Sequence, residues 1–180
     1  MPLSVPHTAP LFFSSDPMSA MSSRRQAREC VMKALYAREL AGGPDETHIY
    51  TLIEPELEQD PATFRFAKDL FHETTDRLGE IDTLIDRHTE NWALHRIATV
   101  DRTLLRMSIA ELLAFEDIPP KVSINEAIEI GKRYSTPSSR TFLNGVLDAV
   151  LMDLERNDRL HKSGRGLVGM DDIRQRAHSA

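Results

Sequence analysis

Apolar residues recur along this chain at helical spacing, and glycines and prolines interrupt the recurrence. Ala27, Cys30, Val31, Ala34 and Leu35 fall at i, i+3, i+4, i+7 and i+8, one face of a helix over about residues 23–40. Gly42-Gly43-Pro44 stops it. The next stretch predicts one short helix around 48–53, before Pro55. Asp60-Pro61 then opens the longest helical run, about 63–88, with Phe66, Leu70, Phe71, Leu78, Ile81, Leu84 and Ile85 inward. After a connector holding Trp92 and Leu94, residues 99–115 carry Val100, Leu104, Leu105, Met107, Leu112 and Leu113 over a wide arc, which predicts a central helix.

Pro119-Pro120 forbids continuation of that helix. Ser123-Ile-Asn-Glu126 fits a capping box, with Val122 and Ala127 placed as a hydrophobic staple. The helix it starts runs through Ile128, Gly131 and Tyr134 to the break at Thr136-Pro137. Ser138 or Ser139 can cap the last core helix, whose stripe is Phe142, Leu143, Val146, Leu147, Val150, Leu151 and Leu154. Gly145 inside it costs about 1 kcal/mol relative to Ala, and close approach of a neighbouring helix would explain that cost. No segment alternates with period two long enough to predict a strand. The class is all-α, a compact bundle with short connections.

Composition narrows the function. Of 180 residues, 41% are hydrophobic and 28% charged, an ordinary globular balance. No apolar run approaches the roughly 20 residues that span a bilayer, and the first 21 residues lack the basic start of a signal peptide. A cytoplasmic location is expected. The single cysteine, Cys30, excludes an intramolecular disulfide and a cysteine-based zinc site. Residues 1–22, rich in Pro and Ser, read as a disordered leader, with Met18 and Met21 as candidate starts. Residues 157–180 read as a polar tail, mobile or forming a weak last helix. The net charge of −6 misleads. Residues 42–63 hold six acids (Asp45, Glu46, Glu54, Glu56, Glu58, Asp60) and no Lys or Arg; without them the chain has 22 acidic residues against 22 basic ones. A local basic patch is therefore compatible with the overall acidity.

The signals for catalysis are weak. Gly164-Arg-Gly166-Leu-Val-Gly169 matches a dinucleotide fingerprint in letters but lacks the strand and helix that fingerprint needs, and reads as flexible tail. His72-Glu73-Thr74-Thr75-Asp76 resembles a zinc-protease helix without its second histidine and reads as a solvated face. Cys30 lies on an apolar stripe and reads as a small core residue. Neither an enzyme nor a cofactor or metal site is expected.

Binding signals are stronger. Arg24, Arg25 and Arg28 cluster at the start of the first helix, where the macrodipole favours acids instead. Guanidinium forks pair with phosphate oxygens, so RNA contact explains the cluster; a solvated basic face explains it too. Ser138-Ser-Arg140-Thr-Phe142 combines hydroxyls, a helix N-terminus, a cation and a ring, the parts used for single-stranded RNA. Equally, Phe142 can simply begin the core stripe and Ser138 simply cap.

Several separated motifs then agree. Arg24-Arg-Gln-Ala-Arg-Glu-Cys30 with Ala34-Leu-Tyr36, Val100-Asp-Arg…Leu105-Arg, Val122-Ser-Ile-Asn-Glu-Ala127 and Phe142-Leu-Asn-Gly-Val-Leu-Asp148 resemble, in order and spacing, the NusB family of transcription antitermination factors. The likeness spans about residues 23–156. It implies six to seven helices in two small packed bundles. It implies binding of the boxA element of ribosomal-RNA leader transcripts, pairing with a small-subunit ribosomal protein that doubles as an elongation factor, and entry into the RNA polymerase antitermination complex. By the resemblance, Arg24, Arg25, Arg28, Ser138, Arg140 and Phe142 face RNA, and Tyr36 and Asp101 face the ribosomal-protein partner. Gln26 and Thr141 depart from the family's basic pattern. The runner-up is the RNA-recruiting domain of an RNA cytosine methyltransferase, against which stand the roughly 25 residues after the match, far too few for a catalytic domain. A purely structural interaction module is the third reading. Monomer and homodimer are both compatible with the free chain.

Overall fold

The computed structural model describes residues 17–42, 47–89 and 93–179, apart from the side chains of 17–22 and Tyr50. Residues 1–16 of the expected leader, Gly43 and Pro44 of the first stop signal, and Trp92 lie outside them. The described residues form eight α-helices and no strand: α1 (Pro17–Ala41), α2 (Glu54–Leu57), α3 (Pro61–Asp76), α4 (Leu78–His88), α5 (Thr99–Ala114), α6 (Pro120–Tyr134), α7 (Ser139–Arg156) and α8 (Met170–His178). Short turns at Ile49–Ile53, Leu94–Arg96 and Gly164–Leu167 join them. α1 and α3 pack together on one side of α5, and α4, α6 and α7 pack on its other sides, with α8 against α7. α5 thus belongs to both bundles, as its wide apolar arc requires, and Leu104, Leu105, Ile109, Ala110 and Leu112 are fully buried.

The predicted stripes are the buried ones. Ala27, Cys30, Val31, Ala34 and Leu35 are all in the core, as are Leu143, Val146, Leu147, Val150, Leu151 and Leu154 of α7. Asp60 caps α3 as its sequence suggests: its carboxylate accepts from the Thr63 amide at 3.1 Å, with Pro61 in the first turn.

Elsewhere the structure corrects the reading. α1 begins at Pro17, six residues before the predicted start and inside the expected leader. The turn at Ile49–Ile53 runs on through Pro55 into α2, because a proline in the first turn of a helix forfeits no hydrogen bond. Ile49, Ile53 and Leu57 then bury one side of this acidic segment. The long run 63–88 is two helices, broken at Arg77 (φ −97°, ψ 13°). α3 packs on α1 and α5 while α4 packs on α5 and α7, and the break lets each half face its own neighbours.

Ser123 and Glu126 do not form a capping box. α6 starts three residues earlier with Pro120 in its first turn, and both side chains bond to other helices instead. Neither Ser138 nor Ser139 makes a side-chain cap bond at the start of α7. Gly145 is exposed, with nothing within 4 Å of where a Cβ would sit. The close approach is at Gly131, where a Cβ would meet Leu143 Cδ1 at 2.8 Å.

The C-terminal segment is ordered and seated. Leu160, Met170, Ile173 and Ala177 are buried. Gly164–Leu167 is a turn of 3₁₀ helix rather than a flexible tail.

Candidate nucleic-acid interface

Arg24, Arg25 and Arg28 of α1 each meet a carboxylate from the α5–α6 side of the molecule, and the three are buried to very different depths. Arg28 is interior, with 4% of its side chain exposed. Its Nε and Nη2 each donate at 2.8 Å to Glu111, itself 2% exposed, and Ser123 Oγ donates to the same carboxylate at 2.7 Å. This clamp joins α1, α5 and α6. It corrects the expectation that Arg28 faces RNA: with 4% of its side chain exposed, the guanidinium is closed off from a phosphate by the helices around it.

Arg25 is the opposite case. Its fork donates at 2.8 and 2.7 Å to Glu126, yet 45% of its side chain stays exposed while Glu126 is nearly covered. The hydrogen bond it donates to Glu126 holds the Arg25 guanidinium above its ordinary pKa despite partial desolvation. Arg24 lies between these extremes, 3.5 Å from Asp117, with its guanidinium 5.1 Å from the Phe66 ring centre. The Arg28 guanidinium lies 5.2 Å from the same ring centre. Phe66 meets Phe115 edge-on at 5.3 Å, which fixes the platform beneath the arginines.

From Arg25 the cationic edge continues to α7. The exposed carboxyl of Glu129 is held below the ordinary carboxylate range by its bond to Lys132, and then by the charges of Lys132, Arg25 and Arg140. Arg25 and Arg140 therefore act on one acidic group from two helices. Arg140 and Ser138 are exposed at the start of α7, and Ser138 shares a 2.9 Å hydrogen bond with Thr136. Phe142 is half-buried and walls a shallow cleft with Arg87, His88, Thr141 and Gly145.

Ser139, which the sequence suggests only as a cap, is buried, and its hydroxyl donates to Asp101 at 2.8 Å. Asp101 is also buried, and its other oxygen, Oδ1, has no hydrogen-bond partner among the described residues. The carboxylate thus ties α5 to α7 from inside instead of standing on the surface. Tyr36 is half-buried on α1. Two turns of α5 also hold a network that sequence reasoning missed. Glu39 pairs with Arg102 and with Arg106 (3.1 Å), and Arg106 also forks onto Asp82 at 2.7 and 2.9 Å.

The chain is similar to known proteins over most of its length. The NusB family model matches residues 25–152. A transcription antitermination protein NusB of Salinibacter ruber is 56% identical over 160 residues, spanning 89% of this chain and all of that protein. One from Chloroherpeton thalassium is 43% identical over 154 residues, spanning 86% of this chain and 73% of that protein.

The chain belongs to the NusB family. Membership makes it a non-enzymatic transcription antitermination factor. Among solved structures, Thermotoga maritima NusB superposes with a TM-score of 0.64 at 40% identity, over 71% of this chain and 89% of that one. A crystal structure of antitermination factors NusB and NusE in complex with dsRNA gives a TM-score of 0.66 at 26% identity, over 72% of this chain and 96% of that one. The NusB-family match leaves out the first 24 residues and the segment after residue 152. Among the described residues, no helix is long and apolar enough to cross a membrane.

Proposed function

We propose that this NusB-family chain binds the single-stranded boxA element of ribosomal-RNA leader transcripts together with NusE, a small-subunit ribosomal protein. In this reading the pair enters the RNA polymerase antitermination complex in the cytoplasm. The observation that carries it is the cationic edge from Arg24 and Arg25 on α1 to Arg140 on α7, ending at the half-exposed ring of Phe142. Exposed guanidinium groups pair with phosphates, and a ring face accepts one unstacked base. Ser138 adds a hydroxyl and sits where α7 leaves free amides. Arg28 and Asp101 support this surface from below and do not touch RNA, while Tyr36 remains the candidate for the ribosomal-protein face. The solved NusB–NusE–RNA assembly supports the choice of partners.

The test is RNA binding by fluorescence anisotropy, with and without NusE, across salt. Arg25→Ala and Arg140→Ala each weaken binding of a boxA oligonucleotide and make the salt slope shallower by about 0.7 for every phosphate left unneutralised. Parent-like affinity and slope in both variants would refute the assignment.

A further inference from the structure

The segment after α7 is built onto the RNA edge, although it lies outside the family match. Residues 160–169 form a strap over the α5–α6 loop. Lys162 Nζ donates to the Phe115 carbonyl at 2.8 Å, and the Ser163 amide donates to the Glu116 carbonyl at 3.0 Å. Gly166 lies so close to that loop that a Cβ would stand 1.8 Å from Glu116 O. Leu160 on one side and Met170 and Ile173 on the other anchor the strap in the core. The next loop residue is Asp117, the carboxylate that meets Arg24. The loop thus puts Asp117 beside an arginine of the RNA edge, with Glu116 adjacent in the chain, and their charges would repel phosphate. Lys162 lies in the field of both, and of Glu111. Arg165 is exposed and pairs with no carboxylate among the described residues.

We propose that this C-terminal strap is a second part of the RNA interface, its Lys162 and Arg165 offsetting the Glu116–Asp117 loop and binding further phosphates next to Arg24. The proposal rests on the reading of the Arg24–Arg140 edge as the RNA surface. A strap kept only for packing needs the anchors at Leu160, Met170 and Ile173; it does not need an unpaired arginine on its outer side.

The experiment uses the full chain with NusE and a single-stranded boxA RNA extended at both ends, titrated from low to moderate salt. Arg165→Glu weakens binding and lowers the salt slope by about 0.7 for each phosphate it no longer neutralises. Gly166→Val removes no charge but forces the strap off Glu116, and it weakens binding in the same way. Arg25→Ala, measured alongside, reports on the primary edge. If Arg25→Ala loses affinity while Arg165→Glu binds with parent affinity and slope, the strap proposal is overturned and the primary reading stands. If both bind as the parent does, the primary reading falls as well. Arg165 is a surface residue, so its variant decides the matter even if Gly166→Val does not fold.

Discussion

Removing Arg28 separates a structural arginine from an RNA-binding one. Its guanidinium and the Glu111 carboxylate are both almost wholly covered and share two 2.8 Å bonds. Arg28→Met keeps most of the aliphatic stem and deletes the fork, together with the guanidinium's contact with the Phe66 ring. Glu111 is then a buried carboxylate that keeps the Ser123 hydroxyl as its one side-chain hydrogen-bond donor among the described residues. Breaking one side of such a pair costs about 3–5 kcal/mol. At about 2–4 °C per kcal/mol for a chain of this size, the melting temperature falls by roughly 6–20 °C. Arg28→Lys recovers only part of this, because an ammonium cannot satisfy both carboxylate oxygens along the same line. Removing the charge from both sides, Arg28→Met with Glu111→Leu, recovers most of the loss, since burying the pair was itself costly. Thermal and denaturant unfolding followed by circular dichroism give the stabilities, and anisotropy across salt gives the RNA slope. Arg28→Met leaves that slope at the parent value, whereas Arg25→Ala lowers it by about 0.7. A variant at Arg28 that unfolds with the parent yet shows the reduced slope would refute the buried-clamp argument.

Two further expectations test other parts of the fold. Gly145→Ala raises stability by about 1 kcal/mol, because it adds helix propensity where no neighbour is within reach of the new methyl; an unchanged or lower denaturant midpoint would show that something packs there. Lys162 carries a pH signature. Burial lowers its ammonium pKa from 10.5 to about 8, with Glu111, Asp117 and Glu116 opposing. The unfolded chain therefore binds the extra proton between pH 8 and 10.5, and folding becomes more favourable as pH rises through that window. The ceiling is about 3 kcal/mol, reduced to about 1 kcal/mol because the side chain is partly solvated. Denaturant midpoints of the parent and Lys162→Met diverge from pH 8 to 10 in the parent's favour; a constant difference contradicts the assignment.

The helices whose existence and buried face sequence reading gets right are those with dense apolar stripes, α1 and α5–α7, although α1 and α6 start earlier than the pattern suggests. Local spacing determines them. The division of 63–88 is invisible for the same reason: Phe71, Thr74, Leu78, Ile81 and Ile85 keep one helical phase across the junction, so the pattern reads straight through Arg77. The break is set by which neighbours each half meets, a tertiary cause. Ser123 and Glu126 show a second limit. The same residue types serve as a cap or as long-range partners, and only the partner's position decides between them. Glu126 meets Arg25, a residue 101 positions away. The C-terminal strap is illegible because its seating depends on backbone carbonyls of another loop, which leave no mark in its own residue types.

Arg28 is different, because its burial is readable in principle. It stands three residues before Val31 and seven before Leu35, in phase with the flank of the apolar stripe. Glu111 likewise falls in the apolar arc of α5, seven residues after Leu104 and four after Met107. A lone charge in phase with a buried stripe is too costly to leave unpaired, so two of opposite sign on different helices imply each other. Arg25, three residues earlier on α1, is out of phase with that stripe and partly exposed. Arg24 stands in the same relation to Ala27 and Val31 yet keeps 37% of its side chain exposed, so phase alone does not sort the arginines; a buried carboxylate in phase on a second helix, as Glu111 is for Arg28, marks the one that holds the scaffold together.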